Sequence, residues 1–194
     1  MNVYDFDGTI YDGDSTLDFY LFLIKKRKRL LLRVPKQVAS IIKYCFKFIE
    51  KEELKESFYS VFELFDNLDE YINQFWDKYE HKIKEWYLNQ QEPSDVIISA
   101  SSFILLEPIC NKLGIKYLIA SNVDKKTGKY KGKNCYGEEK VKRLYKEFKN
   151  KTINNFYTDS LSDKPLIDIA KNSFIVKKNK IINYNDYKEN KLER

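Results

Sequence analysis

Val3-Tyr4-Asp5-Phe6-Asp7-Gly8-Thr9-Ile10 is the stretch whose reading decides the fold. An apolar-leaning run leads into two carboxylates spaced two apart, and a Gly-Thr turn follows. On an extended backbone residues i and i+2 share a face, so a strand ending near Asp5 stands both acids over one site at its tip. Facing carboxylates repel each other and need a cation or a shared proton. Gly8 lets the chain turn at once. One acid can attack phosphorus while the other carries a proton to the leaving group, with Mg²⁺ offsetting their charge. A solvated Asp-Phe-Asp-Gly turn is the plain alternative, and the tetrapeptide alone does not separate the two.

Downstream of Pro93 the chain alternates between short apolar runs and helical patterns. Val96-Ile97-Ile98 reads as a buried parallel strand ending in Ser99-Ala100-Ser101-Ser102. A helix over 103–113 is closed by Gly114 as its C′ residue, and a strand over 117–120 follows. Residues 122–134 are polar and suggest a surface hairpin around 129–132. Gly137-Glu138-Glu139-Lys140 opens a helix running to Phe148. A strand over 153–157 ends in Thr158-Asp159-Ser160-Leu161-Ser162-Asp163; a helix over 164–171 and a strand over 173–176 come next, and a polar tail begins at Lys177, its last residues expected to be loose. This alternation predicts an α/β fold, a parallel sheet with helices on both faces.

Between the opening strand and Pro93 the pattern is helical throughout. Ser15 reads as the cap of a first helix, with Asp18 three residues on. Residues 17–24 are almost wholly apolar, 25–29 are all Lys or Arg, and 30–32 are Leu. Pro35 opens a second helix, with Val38, Ile41, Ile42, Cys45, Phe46 and Ile49 at the helical period. Leu54, Phe58, Val61, Phe62 and Phe65 continue it. A last helix starts at Asn67, with Glu70 completing a capping box and one apolar stripe running as far as Trp86. These stripes are expected to form the core of a small bundle. The bundle, residues 15–91, is thus inserted into a core made of 1–14 and 92–194.

Composition sets limits. Hydrophobic residues make up 43% and aromatics 15% of the 194 residues, enough for a packed interior. A net charge of +6 suits anionic partners, but the lysines are scattered and nucleic acid is not an expected partner. Cys45, Cys110 and Cys135 show no C-x-x-C spacing and read as incidental thiols of a reducing cytoplasm. His81, the sole histidine, sits off its apolar stripe and reads as solvated. Residues 1–5 lack the basic and apolar regions of a secretory signal, and no run of about 20 apolar residues is present to span a bilayer. The apolar 17–24 segment joined to basic 25–29 suits a helix on an anionic membrane, with a buried helix and a solvated turn as the alternative. Peripheral association at the inner membrane surface is therefore an added expectation; oligomeric state is left open.

Ligands of parallel α/β sheets bind outside the carboxyl ends of the strands, where Asp5, Ser99 and Asp159 all fall. Asp5-Phe6-Asp7-Gly8-Thr9 resembles the D-x-D-G-T motif of the haloacid-dehalogenase (HAD) superfamily of phosphohydrolases. Ser99 after the second strand, Lys140 at a helix start, and the acids Asp159 and Asp163 resemble its remaining motifs, in the right order. With its helical insert after the first motif, the chain is similar to the phosphoserine-phosphatase-like branch, including phosphatidylglycerophosphatase C-like members. It departs from that pattern in Thr158, where many members have Gly, and in Ser99-Ala100-Ser101, where phosphoserine phosphatases have Ser-Gly-Gly. The second departure crowds the phosphate loop and argues against phosphoserine itself.

The resemblance implies a Rossmann-like three-layer HAD core with a helical cap, and a Mg²⁺-dependent phosphatase. Asp5 would be the nucleophile and Asp7 the proton carrier. Lys140 would restrain Asp5, and Thr9, Ser99, Ala100 and Lys140 would contact the phosphoryl group. Asp5, Asp7, Asp159 and Asp163 would form the metal site. The substrate would be a small phosphorylated metabolite or a lipid phosphate. Transfer to an acceptor other than water, as in a phosphotransferase or mutase, and a non-catalytic membrane-surface protein stay open.

Overall fold

The computed structural model describes residues 1–149 and 151–192. Its strands are β1 (Asn2–Tyr4), β2 (Val96–Ser102), β3 (Tyr117–Ser121), β4 (Asn155–Thr158), β5 (Asn172–Lys177) and β6 (Lys180–Asn183). They form one sheet in the order β3-β2-β1-β4-β5-β6. Pairing is parallel from β3 through β5, and β6 adds an antiparallel edge. The expected α/β fold is therefore present, with β1 central and crossovers on either side.

Strand alternation assigns residues to two layers. Val3, Val96, Ile98, Phe156 and Ile175 pack into one buried cluster with Leu144, Phe148 and Leu166. Tyr4, Ile97, Tyr157 and Val176 point the other way, into a larger cluster with Leu105, Ile109 and the helices between β1 and β2. Those helices are α1 (Ser15–Lys26), α2 (Val34–Cys45), α3 (Lys51–Tyr59), α4 (Leu68–Tyr79) and α5 (Glu85–Leu88). The later ones are α6 (Phe103–Lys112), α7 (Glu138–Glu147), α8 (Lys164–Ile167) and α9 (Tyr184–Leu192). With helices over both sheet faces, the fold has three layers. Phe6, fully buried, meets Trp76 of α4 edge to face at 5.9 Å, and the Trp76 indole donates to the Leu105 carbonyl of α6 at 2.5 Å. The inserted helices and the sheet thus share one apolar core.

Several expectations change in detail. Asp14, not Ser15, caps α1, its side chain accepting from the Leu17 amide; both types cap well, and the backbone bend falls one residue early. Asn67 makes no capping box: its side-chain amide donates to the Glu70 carboxylate instead. The apolar stripe from Leu68 is broken at Tyr79, after which Ile83 bridges to Tyr11 and Trp86 belongs to α5. α8 stops at Ile167, short of 171. The 122–134 segment reverses around 124–128, where Asp124 accepts from the Lys126 and Thr127 amides, ahead of the expected turn. The polar tail holds elements that were not expected, since β6 pairs with β5 and α9 packs Tyr184 and Tyr187 on the core; its last residues, 193–194, expected to be loose, lie outside the described residues. At Gly114 the expectation holds. Its φ of +72° closes a Schellman motif, with Ile115 N–H donating to Cys110 and Gly114 N–H to Asn111.

The first two inserted helices differ most. α1 buries Phe19, Tyr20, Phe22 and Leu23, so it is a packed helix and not one lying free on a membrane. α2 does the opposite, leaving Val38, Ile41, Ile42, Cys45 and Phe46 exposed where the period suggested core. Cys110 and Cys135 are buried free thiols, Cys45 is an exposed one, and His81 is exposed.

Gly128 ties the 124–128 turn to the insert. Its φ is +68°, and a Cβ there would lie 2.2 Å from the Tyr59 carbonyl oxygen of α3. Gly128→Ala is expected to cost about 2–4 kcal/mol from backbone strain and overpacking together. Thermal or urea unfolding checks this; an unchanged midpoint would show that the turn does not press on α3.

Candidate active site

Asp5 directly follows β1, and its amide donates to the Tyr157 carbonyl at 2.9 Å, continuing the pairing with β4 by one residue. With Phe6 committed to the aromatic core, Asp5 and Asp7 flank it and stand over the strand tips. The turn after them is held by the Phe6 carbonyl, which accepts from the amides of Thr9, Ile10 and Tyr11. Gly8 has φ +72°, and a Cβ there would fall 2.3 Å from the Asp159 carboxylate. Glycine is needed twice over: for the turn, and for the approach of the acid from β4.

Asp5 is 8% exposed. Its Oδ1 accepts from Lys140 Nζ at 2.8 Å, and Thr9 Oγ1 donates toward Oδ2 at 3.4 Å. The same Thr9 hydroxyl accepts from the Asp159 amide at 2.9 Å, linking β1 to the β4 loop. Lys140, in the first turn of α7, also donates to Asp163 Oδ2 at 2.8 Å. Asp163 accepts from Thr158 Oγ1 at 2.9 Å too, while its Oδ1 is buried with no hydrogen-bond partner among the described residues. Burial pushes the Asp5 carboxyl up, against the pull of Lys140, and the Asp163 charge adds to the rise. Burial alone would lower Lys140; Asp5 and Asp163 more than offset it, so the ammonium keeps its proton.

Asp7 is held from two sides. Its Oδ1 accepts from the Ser15 amide at the N-terminus of α1 at 2.7 Å, and its Oδ2 from Ser101 Oγ at 2.5 Å. Burial, then the charge of Asp14, raises its pKa, while Lys55, Ser101 and Ser15 pull it back. A carboxyl moved toward neutrality suits a proton carrier. Ser99 is buried within β2, which continues to Ser102 instead of ending at Ile98, and its Oγ accepts from the Ser101 amide at 3.0 Å. The Ala100 carbonyl accepts from Lys55 Nζ at 3.0 Å.

These groups line a cavity of about 200 Å³ that brings together Asp5, Asp7, Ser99, Ala100, Lys140, Asp159 and Asp163. Thr9 lies beneath, against Asp5 and the Asp159 amide. The same cavity holds Asp14, Lys51, Lys55, Tyr136, Ser160 and Ser162, which the sequence did not single out. Lys84 was missed as well; buried, it donates to the carbonyls of Gly8 at 2.6 Å and Lys178 at 2.7 Å. Only the i, i+4 spacing of Lys51 and Lys55 could have flagged that pair as one helix face.

The described residues hold no cluster of three or more His, Cys, Asp or Glu side chains assembled around a metal. Mg²⁺ needs fewer, since it keeps waters and takes one or two carboxylates with substrate phosphate. Asp5 and Asp159, both lining the cavity, supply two such carboxylates, and the unpartnered Asp163 oxygen is a ready acceptor for a metal-bound water. The donor set is all oxygen and fits the ion.

A family profile for haloacid dehalogenase-like hydrolases matches residues 3–168. The chain belongs to that family of enzymes. A protein of unknown function from Bordetella pertussis Tohama I shares its fold with a TM-score of 0.76 at 16% identity, covering 89% of this chain and 87% of that one. A phosphoserine phosphohydrolase-like protein from Francisella tularensis subsp. tularensis SCHU S4 aligns with a TM-score of 0.55 at 14% identity, over 92% and 88%. A phosphoserine phosphatase, solved as a phospho-aspartyl intermediate analogue, aligns with a TM-score of 0.56 at 19% identity, over 88% and 83%. The fold is thus that of the phosphoserine-phosphatase-like members. No curated protein matches in sequence.

Removing Lys140 tests the electrostatics apart from catalysis. Lys140→Ala leaves two buried carboxylates facing each other, and is expected to cost about 3–5 kcal/mol at neutral pH. The folded-state pKa of Asp5 then rises further above its unfolded value, so the folded variant gains protons as the pH falls. The deficit relative to wild type should be full above that raised pKa, shrink as the pH falls from it to the wild-type Asp5 value of about 7, and level off below. Urea unfolding of both proteins across this range measures it; a deficit that grows with acid would refute the placement.

Proposed function

We propose that the chain is a Mg²⁺-dependent phosphomonoester hydrolase working through a phosphorylated Asp5. The observation carrying this reading is the buried Asp5 carboxylate, held at one oxygen by Lys140 and set in a cavity with Asp7, Ser99 and Asp159. Asp5 attacks phosphorus, the bond from phosphorus to the ester oxygen breaks, and the leaving alcohol takes the proton of Asp7. Asp7 then accepts a proton from the water that attacks phosphorus, the bond to Asp5 breaks, and inorganic phosphate departs. Ser99 and Lys140 hold the phosphoryl oxygens as charge spreads over them. Mg²⁺ would be held by Asp5, the Asp7 carbonyl and Asp159, with Asp163 on its waters, and it supplies charge neutralisation between nucleophile and phosphate.

In this reading 1–14 and 92–194 are the catalytic core and 15–91 the cap. The cap brings Lys51 and Lys55 to the cavity, which favours a leaving group with a second anionic group, on a small metabolite or a lipid phosphate. Phosphoryl transfer to another acceptor is the nearest rival, and single-turnover product analysis with and without candidate alcohols distinguishes it.

A screen of phosphomonoesters, lipid phosphates included, with Mg²⁺ or EDTA is the primary test. Activity should vanish in EDTA. Asp5→Asn should retain the fold and lower turnover by about three orders of magnitude or more. Asp159→Ala should raise the Mg²⁺ concentration needed for activity. Near-normal turnover by Asp5→Asn, or full activity in EDTA, would overturn the mechanism.

A further inference from the structure

Residues 25–49 carry Lys or Arg at 25–29, 33, 36, 43 and 47, and no Asp or Glu. Within this stretch α2 is turned with its apolar stripe outward. Gln37 is buried and donates to the Ser57 carbonyl of α3 at 2.8 Å, and Ser40 is half-buried on the same side. Val38, Ile41, Ile42 and Cys45, spaced i, i+3, i+4 and i+7, face solvent. The segments at either end add Leu32, 84% exposed, and Phe46 and Phe48, 70% and 78% exposed. A helix of a water-facing bundle buries that stripe; this one buries its amide. The 12 residues of α2 span about 18 Å, so the apolar side chains form a continuous patch and are not scattered singly.

The charges around the patch select its occupant. Arg33 pairs with Glu63, Arg27 donates to the Leu64 carbonyl and Lys26 to Gln74. Lys36 and Lys43 line a cavity with Glu53 and Glu56. Lys28 and Arg29, in the turn that precedes α2, and Lys47, just after it, are exposed and make no ion pair among the described residues. A second copy laid on this face would set those cations against their own kind, which disfavours self-association. An apolar face bracketed by unpaired cations matches a layer with anionic headgroups above hydrocarbon.

We propose that the outward face of α2, with Leu32, Phe46 and Phe48 at its ends, docks the protein on the surface of an anionic lipid bilayer. The contact is peripheral: among the described residues no helix is long and apolar enough to cross a membrane. It does not depend on the chemistry at Asp5, so vesicle binding and phosphatase activity can fail independently.

Co-sedimentation with vesicles tests it. Wild-type protein should pellet with vesicles of equal parts phosphatidylglycerol and phosphatidylcholine at low salt, and bind phosphatidylcholine alone at least tenfold more weakly. The double variant Phe46→Ser, Phe48→Ser should lose at least tenfold in binding with an unchanged melting curve. Lys28→Gln, Arg29→Gln and Lys47→Gln together should abolish the preference for anionic vesicles. Wild-type protein remaining in the supernatant would overturn the proposal, as would pelleting that the Phe variant leaves intact. So would a concentration-dependent dimer in analytical ultracentrifugation that the Phe variant abolishes, which would assign the face to a second copy.

Discussion

One ammonium group, Lys140 Nζ, lies 2.8 Å from both Asp5 and Asp163, and the geometry of the site depends on it. The residues it joins are 135 and 23 positions away in the chain, so this contact fastens α7 to the end of β1 and to the loop after β4. Burial drives Asp5 upward, and because one cation between two buried anions leaves the site negative, the Asp163 charge adds to that rise. The neighbouring lysines do not complete the neutralisation. Lys84 and Lys177 both place their ammonium groups on backbone carbonyls, of Gly8 and Asp159, and not on the carboxylates. They brace the two loops while leaving the acids short of positive charge, which is the condition in which a divalent cation gains most.

The two places where the motifs depart from the family pattern have structural roles. Thr158 stands where many members have Gly, and its hydroxyl donates to Asp163. Ser101 replaces the second Gly of the phosphate loop, and its hydroxyl donates to Asp7. From Ser101 the hydrogen bonds continue to Thr16 of α1 at 3.2 Å, and from Thr16 to the Tyr59 hydroxyl at 3.1 Å. Asp7 is therefore oriented by the inserted helices as well as by its own loop. α1 cannot swing away without releasing both the Ser15 amide and the Thr16 hydroxyl from this network.

How legible each feature was in the sequence follows from how local its signal is. Asp5, Ser99 and Asp159 stand out because a polar group ends an apolar run, and the sheet brings strand ends together whatever separates them in sequence. Lys140 is visible from the acidic turn that opens its helix. Lys51, Lys55 and Lys84 are not, since nothing local marks them among 35 Lys and Arg residues. The period of Val38, Ile41, Ile42 and Cys45 locates a stripe correctly but carries no information about which way the helix is rolled. That orientation was set by Gln37 reaching the Ser57 carbonyl, a tertiary contact. β6 and α9 escaped because their residues are mostly polar, and β-pairing at a sheet edge needs backbone groups more than apolar side chains.

The exposed face and the cavity are close in sequence. Phe48 precedes Lys51 by three residues, and only Ile49 and Glu50 intervene before α3 begins. Lys51 lies over the Tyr136 ring, 4.3 Å from its centroid, at the cavity's edge. A protein resting on a lipid layer through Phe46 and Phe48 would bring the start of α3, where Lys51 stands, toward that layer. For a lipid substrate this geometry shortens the path of the headgroup to Asp5, and binding to the layer supplies part of the approach that a soluble ligand would make by diffusion. For a small soluble substrate the same face would confer no catalytic gain. Docking and substrate class are thus separate properties that one short turn, 46–50, places in mechanical contact.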